Sequence, residues 1–346
     1  VGEAAYGARE AGTSMGGVAL IAIEEHWSSP ELTAAVRALP ADRGDPSLVL
    51  DEMGDNLALL DDLADARLRF MDAQGVDLQV LSLAPPGTHP LDPAQAVPLA
   101  RRANDLAVEA VRRHPRRFRA LATLPMADPA AAAAELERAA GLGMVGAMVY
   151  GRSGAVPLDD PRNEDVFATA ASLGLPVFIH PQVPPLAVRE VSYSGFDPLT
   201  DLAMATFGWG WHLEAALAAL RVVVRGTFDR HPDLQLVLGH WGELLPFWLD
   251  RADSLARAAG LERRVSDYVR TNVHLTSSGM LNPALLRHVL EVTTPDRLIF
   301  STDYPFQRPD ADAIATFLTH LATDADREAF TEGNARRLFR IEGDLG

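Results

Sequence analysis

The chain has 346 residues, 48% hydrophobic and 23% charged, with no run of apolar residues long enough for a membrane-spanning helix, so its composition is that of a globular protein with a large core. Its 47 acidic and 31 basic side chains give a formal net charge of -16, which repels nucleic-acid backbones and anionic membrane surfaces and excludes both as partners. There is no cysteine, so disulfides, thiolate metal sites and a cysteine nucleophile are ruled out, and any metal must be held by His, Asp or Glu.

Residues 1–15 are rich in Ala and Gly and lack the basic start and long apolar core of a secretory signal. They read as a disordered tail or cloning remnant, with Met15 as a natural start and a cytoplasmic location implied. Residues 16–346 read as one domain. Eight short apolar runs follow, at Val18 to Glu25, Asp77 to Leu83, Phe118 to Leu124, Gly146 to Tyr150, Val177 to His180, Gln235 to His240, Val273 to Thr276 and Leu298 to Ser301. Segments of helical periodicity separate them, such as Leu57 to Ala73, Ala94 to His114 and Leu213 to Phe228, with Gly or Pro at most joins. Repeated strand–helix units of this kind predict an α/β fold, a single (β/α)8 TIM barrel. An open doubly wound sheet is the competitor, but the first run lacks the glycine-rich phosphate turn common in that class. Two long connections, Trp27 to Asn56 after strand 1 and Pro181 to Trp211 after strand 5, are insertions at the strand ends where barrel enzymes build specificity. The second carries Trp209 and Trp211, which suit an aromatic or apolar substrate or simply pack on each other.

Metal-type side chains cluster at those same ends. Glu24 and His26 close the first run, His180 ends the fifth, His240 ends the sixth and Asp303 follows the eighth. Parallel strands bring such residues to one mouth, and strand alternation puts Glu24 and His26 on the same side with Glu25 on the other. Each residue alone has an ordinary structural explanation, but five at one rim read as a site, and a mixed nitrogen and oxygen donor set suits Zn²⁺ or Mn²⁺. Glu243 follows His240 by three residues, where its carboxylate can fix the imidazole tautomer. His114, His231, His288 and His320 read as structural, whereas His89 and His274 lie near enough to the predicted mouth to touch substrate.

These residues resemble the amidohydrolase-related decarboxylases, a group that includes the γ-resorcylate, 2,3-dihydroxybenzoate, 5-carboxyvanillate and aminocarboxymuconate semialdehyde enzymes. The resemblance spans about Val18 to Phe339. It rests on Ile-Glu-Glu-His at 23–26, Arg-Leu-Arg-Phe-Met-Asp at 67–72, Phe-Ile-His-Pro at 178–181, Leu-Gly-His-Trp-Gly-Glu at 238–243, Ser-Thr-Asp-Tyr-Pro-Phe at 301–306 and Gly-Asn-Ala-Arg-Arg-Leu-Phe at 333–339. It implies that Glu24, His26, His180 and Asp303 hold one divalent metal ion per chain, that His240 is the catalytic histidine oriented by Glu243, and that Arg251 and Phe306 contact substrate. Trp241, Tyr304 and the Trp-rich loop at 207–211 depart from the family pattern and bear on the choice of substrate.

The implied activity is non-oxidative decarboxylation of a hydroxylated aromatic or unsaturated carboxylic acid, a small molecule, without an organic cofactor. Asp303 would protonate the carbon bearing the carboxylate, and His240 with Glu243 would manage charge on a ring hydroxyl. The same scaffold also supports a hydrolase of an ester, lactone or amide, with Asp303 taking a proton from water. A catalytically silent barrel used for assembly fits less well with intact acid and base groups. Phe247, Trp248 and Leu249 beside Arg251 read either as packing on the barrel wall or as anchors of an interface, and the resemblance implies a homodimer or homotetramer.

Overall fold

In the computed structural model, which describes residues 18–40, 42–343 and 345, eight parallel strands form one sheet. The expectation for residues 1–15 lies outside the described residues. The strands are β1 (Ile21–Trp27), β2 (Leu78–Leu83), β3 (Phe118–Thr123), β4 (Gly146–Tyr150), β5 (Val177–His180), β6 (Leu236–Leu238), β7 (Val273–Thr276) and β8 (Leu298–Ile299). Each pairs with its neighbour in sequence order, and a parallel bridge between Ile23 and Ser301, with Ile23 N donating to Phe300 O at 3.2 Å, closes β8 onto β1. The result is a (β/α)8 barrel. Each of the eight apolar runs overlaps one barrel strand, with ends that differ by up to three residues, and β1 runs two residues past its expected end to Trp27. A small antiparallel hairpin, Arg152–Ser153 with Val156–Pro157, follows β4.

Side-chain alternation divides the strands between two cores. Ile21, Ile23, Leu78, Val80, Leu121, Met148, Phe178, Val237 and Ile299 fill the barrel, and Phe339, Ile341 and Leu345 from the C-terminal segment close its base. The opposite faces, where Ala22, Ala120, Ala122 and Ala147 stand among larger residues such as Leu81, Ile179 and Leu236, meet the surrounding helices. The helix Pro93–Arg113 buries Ala96, Ala100, Ala103, Ala107 and Ala110, spaced four and three apart along one stripe, which lets its backbone approach the sheet closely. Prolines open several helices just after an Asp or Asn, as in Asp128-Pro129, where the Asp128 carboxylate accepts from Ala131 N at 3.1 Å.

Both predicted insertions are present. The first carries short helices at Leu48–Asp51 and Asn56–Asp61, and the second at Leu186–Ser192 and Pro198–Ala205. Leu50, Val183 and Trp211, joined by Leu202 and Phe306, pack into one apolar cluster that draws the two insertions together beside the strand ends. No described helix is long and apolar enough to cross a membrane.

Candidate active site

The path of β1 decides which of its side chains reach the mouth. Ile21 and Ile23 face into the barrel and Ala22 faces out, so plain alternation would send Glu24 and His26 outward. The register breaks between Ile23 and Glu25: Ile23 pairs with Val80 and the next paired residue, Glu25, lies opposite Leu81. Glu24 is therefore an extra residue, with φ at 66°, and the bulge reverses the alternation. Glu24 and His26 do share one side, as the sequence implies, but through this bulge rather than through an unbroken strand.

Three groups from β1 and β5 then converge. Ligand-type atoms of Glu24, His26 and His180 lie within 4.8 Å of one another. Glu24 Oε2 accepts from Thr276 Oγ1 at 3.0 Å, from Ser301 Oγ at 3.3 Å and from Ser278 Oγ, while Glu24 Oε1 is buried without a partner. His26 places Nδ1 3.2 Å from Ser82 Oγ and leaves Nε2 without a hydrogen bond, although Asp303 Oδ1 is 3.2 Å away. The Nδ1–H of His180 donates to Pro181 O at 2.8 Å, which turns the Nε2 lone pair to the site. Burial, aided by His26, holds His180 down at about 3, so its ring is neutral. Burial also pushes the Glu24 carboxyl up to about 8, against the pull of His240. Buried acceptors left open in this way are costly, and a divalent cation satisfies a carboxylate oxygen and two imidazole lone pairs together. The donors present therefore fit a metal.

A run of left-handed backbone follows β6: His240 at φ 47°, Trp241 at 57°, Gly242 at 89°, Glu243 at 55° and Leu244 at 68°. Non-glycine residues in that region cost about 1–3 kcal/mol each and persist where their surroundings hold them. Here His240 N donates to Ser278 Oγ at 2.8 Å, Trp241 Nε1 donates to Met280 O at 2.8 Å, and the Trp241 indole stacks on Phe330 at 3°. A Cβ at Gly239 would lie 2.7 Å from Glu24 Oε1, so only glycine lets this strand end pass the carboxylate. The turn brings the Glu243 Oε1 acceptor to 2.8 Å from His240 Nδ1, through left-handed residues rather than the ordinary helical turn the spacing implies. Burial opposes charge on both partners, yet the Glu243 carboxylate raises His240 well above its ordinary value. Two imidazoles in turn outweigh burial and hold Glu243 at about 2. Asp303, itself at φ 60°, sits with Oδ2 3.8 Å from His240 Nε2, and His240 and His26 overcome its burial to hold it at about 2.

Beneath this cluster the fully buried Arg67 donates to His26 O at 2.5 Å and to Gln79 Oε1 at 3.2 Å. Gln79 Nε2 donates to Glu25 Oε2 at 3.1 Å, and Glu25 accepts from Thr302 N at 2.8 Å and from Thr302 Oγ1 at 2.6 Å. The network joins the ends of β1 and β8 and so sets the spacing of His26 and Asp303. Tyr304 belongs to it, its ring 4.5 Å beneath the Arg67 guanidinium.

A cavity of about 580 Å³ opens above the cluster. His180, His212, His240, Glu243, Ser278 and Asp303 give it polar groups, and Leu50, Phe207, Trp209, Trp211 and Phe306 are among its apolar walls. The Phe306 ring lies 5.7 Å from that of His26, and Trp209 is 47% exposed at the rim. The structure does not bring His274, His89 or Arg251 to this cavity. His274 is the second residue of a four-residue strand, so it sits deep in the barrel, opposite Val237 and 3.3 Å from Arg297 Nη1. His89 is buried against Gln182 at 2.8 Å and Asp45 at 3.3 Å, with Tyr150 between it and His180. Arg251 is exposed on the short helix Leu249–Ala252. His212, which the sequence reading passed over, does line the cavity, and its Nδ1 is 2.7 Å from Glu243 Oε2. Its signal was its place beside two tryptophans at the end of the insertion that follows β5.

Residues 32–341 match the family model described as amidohydrolase. The γ-resorcylate decarboxylase of Rhizobium radiobacter is 37% identical over 339 residues, covering 93% of this chain and 98% of its own. The crystal structure of 5-carboxyvanillate decarboxylase from Sphingomonas paucimobilis superposes with a TM-score of 0.85 at 33% identity, over 94% of this chain and 100% of the other. A dihydroxybenzoic acid decarboxylase from a Polaromonas species, solved with bound manganese and the inhibitor 2-nitroresorcinol, superposes with a TM-score of 0.80 at 34% identity, over 93% of this chain and 97% of the other.

Proposed function

The chain belongs to the amidohydrolase family, and on that premise we propose that the cavity at the barrel mouth decarboxylates a γ-resorcylate-type acid, a benzoate with hydroxyls beside its carboxylate. The protein is a metal-dependent carboxy-lyase of an aromatic acid. The observation that carries the finer reading is the pair of buried, unpartnered atoms Glu24 Oε1 and His26 Nε2 beneath an aromatic-walled cavity that His180 and Asp303 line.

In this reading Glu24, His26, His180 and Asp303 hold one ion, Mn²⁺ or Zn²⁺, with Mn²⁺ favoured by the manganese in the Polaromonas relative. When bound, the ion supplies a Lewis acid and a template for the substrate carboxylate and a neighbouring oxygen. Phe306 and Trp211 set the plane of the aromatic ring, and the apolar walls thin the water around the carboxylate, which favours its loss as neutral CO₂. His240 carries the resting proton because Glu243 supports its charge, and its Nε2 faces Asp303 Oδ2. Asp303 takes up that proton and delivers it to the ring carbon bearing the carboxylate. The electrons of the breaking carbon–carbon bond then return to the ring as CO₂ leaves. Each turnover consumes one carboxylate and one proton and yields one phenol and one CO₂.

The exposed Phe247 and Trp248, at 58% and 67%, stand beside Arg251 and support a homodimer or homotetramer in which Arg251 meets a neighbour's site. A light-scattering mass equal to one chain at micromolar concentration would count against it. The activity test is CO₂ release from γ-resorcylate by protein loaded with Mn²⁺. The expected result is one CO₂ and one resorcinol per acid consumed. Cleavage of aryl esters with no CO₂ from any hydroxybenzoate would replace this reading with the hydrolase.

A further inference from the structure

Glu243 is fully enclosed, and each of its oxygens is held by a different histidine: Oε1 by His240 Nδ1 at 2.8 Å and Oε2 by His212 Nδ1 at 2.7 Å. The two imidazoles meet edge to face, with centroids 4.5 Å apart. His240 and Glu243 come from the strained turn after β6, whereas His212 comes from the helix Gly210–Val224 at the end of the Trp-rich insertion. The far nitrogen of His212 is placed within that insertion, 3.0 Å from Phe207 O and 3.1 Å from Trp211 Nε1.

We propose that His212 is a positioning residue for decarboxylation, acting through Glu243 to aim His240 at Asp303. A buried carboxylate with one free oxygen can rotate about its terminal torsion, and its hold on His240 loosens with it. Occupying the second oxygen removes that freedom. It fixes the proton on His240 Nδ1 and leaves His240 Nε2 toward Asp303 and the cavity. Phe207 and Trp211 both contact the far side of His212 and both line the cavity, so the wall that receives the substrate ring also sets the acid–base pair.

The three side chains also present ligand-type atoms within 4.8 Å, a span that could hold a cation. Their hydrogen bonds argue otherwise, because both Glu243 oxygens and the Nδ1 atoms of both histidines are already engaged with one another.

The inference rests on the decarboxylase reading, and its test has one arm that does not. With Mn²⁺-loaded protein and γ-resorcylate, His212→Ala is expected to lower kcat about tenfold or more with KM changed less than about threefold, while metal content stays at the parent level. His212→Asn, whose amide can donate to the same carboxylate oxygen, is expected to recover most of the lost turnover. A rise in KM with kcat intact would make His212 a substrate contact and overturn the proposal, as would loss of metal in His212→Ala or an equal loss in the Asn variant. Independently of turnover, the hydrogen-bonded Nδ1–H resonance of the His240 ring should move upfield and exchange faster with water in His212→Ala and remain near the parent in His212→Asn. Unchanged His240 resonances in the Ala variant would overturn the inference even if no hydroxybenzoate proved to be a substrate. No CO₂ from the parent protein, with those resonances moving as expected, would instead place the failure in the choice of reaction.

Discussion

At the base of the barrel, Phe339, Ile341 and Leu345 pack with Ile21, Leu78 and their neighbours in one apolar cluster. At the mouth, Glu24, His26, His180, Glu243, His240 and Asp303 are packed into the same scaffold with carboxylates and imidazoles buried side by side. Apart from Arg340 at a helix end, the non-glycine residues with left-handed φ among the described residues all belong to the mouth: Glu24, His240, Trp241, Glu243, Leu244, Ser278 and Asp303. Backbone strain and a dense cluster of buried carboxylates and imidazoles thus gather at the mouth, where a bound ion and a substrate can offset them. The other end obeys the ordinary rules of packing. Variants at the mouth should therefore change chemistry more than stability, and variants at the base should do the reverse.

The largest effect expected at the mouth is from His180→Ala. Its Nε2 lone pair has no protein partner, so the barrel should fold while metal content drops to a small fraction of one ion per chain. Turnover should fall on the order of 10³-fold, the several kcal/mol of charge stabilisation that a Lewis acid supplies. Full metal occupancy in this variant, measured by elemental analysis, would mean that the ligand set is misassigned. Next in size is His240→Asn, which should keep the metal and lose turnover by about 10²-fold, the scale of a lost acid or base. Near-normal kcat there would reduce His240 to a wall residue.

The same contrast explains what could be read from the sequence. The base and the strand count are legible because Ile21, Ile23, Leu78, Val80 and Val237 follow period-two alternation with nothing to disturb it. The convergence of Glu24, His26, His180, His240 and Asp303 is legible too, since parallel strand ends must meet. The bulge at Glu24 is not, because a one-residue register break depends on which partner residues hydrogen-bond across strands. Strand length misplaces His274: four residues leave its ring well short of the rim. His212 escapes notice because its partner, Glu243, lies 31 residues away on another element, and the pairing exists only once both loops have folded.

A third, smaller effect concerns pH. In the folded protein without its ion, Glu24 is raised to about 8 by burial, so below that pH the carboxyl is protonated and must release its proton to bind a cation. Metal affinity should therefore fall about tenfold for each pH unit below 8 and level off above it. Competition with a chelating dye from pH 6 to 9 measures this. A flat profile would show that Glu24 is already ionised, and that the mouth stores less electrostatic cost than its geometry suggests.

The smallest effect on turnover is expected from the base. Phe339 is 2% exposed and packs in the apolar cluster with Ile21, Leu78 and Met148, so Phe339→Ala removes a large buried side chain and leaves a cavity. The cost should be about 3–5 kcal/mol of stability, visible as a lower melting temperature. The mouth, however, is held by bonds that do not involve Phe339. Arg67 grips the His26 carbonyl, Glu25 grips Thr302, and Ser278 supports both Glu24 and the backbone of His240. Metal content and kcat per folded molecule should accordingly stay within about twofold of the parent, since sites without shared partners behave additively. A loss of kcat in step with the loss of stability would mean that the barrel core transmits strain from base to mouth, and the two ends would have to be treated as one cooperative unit.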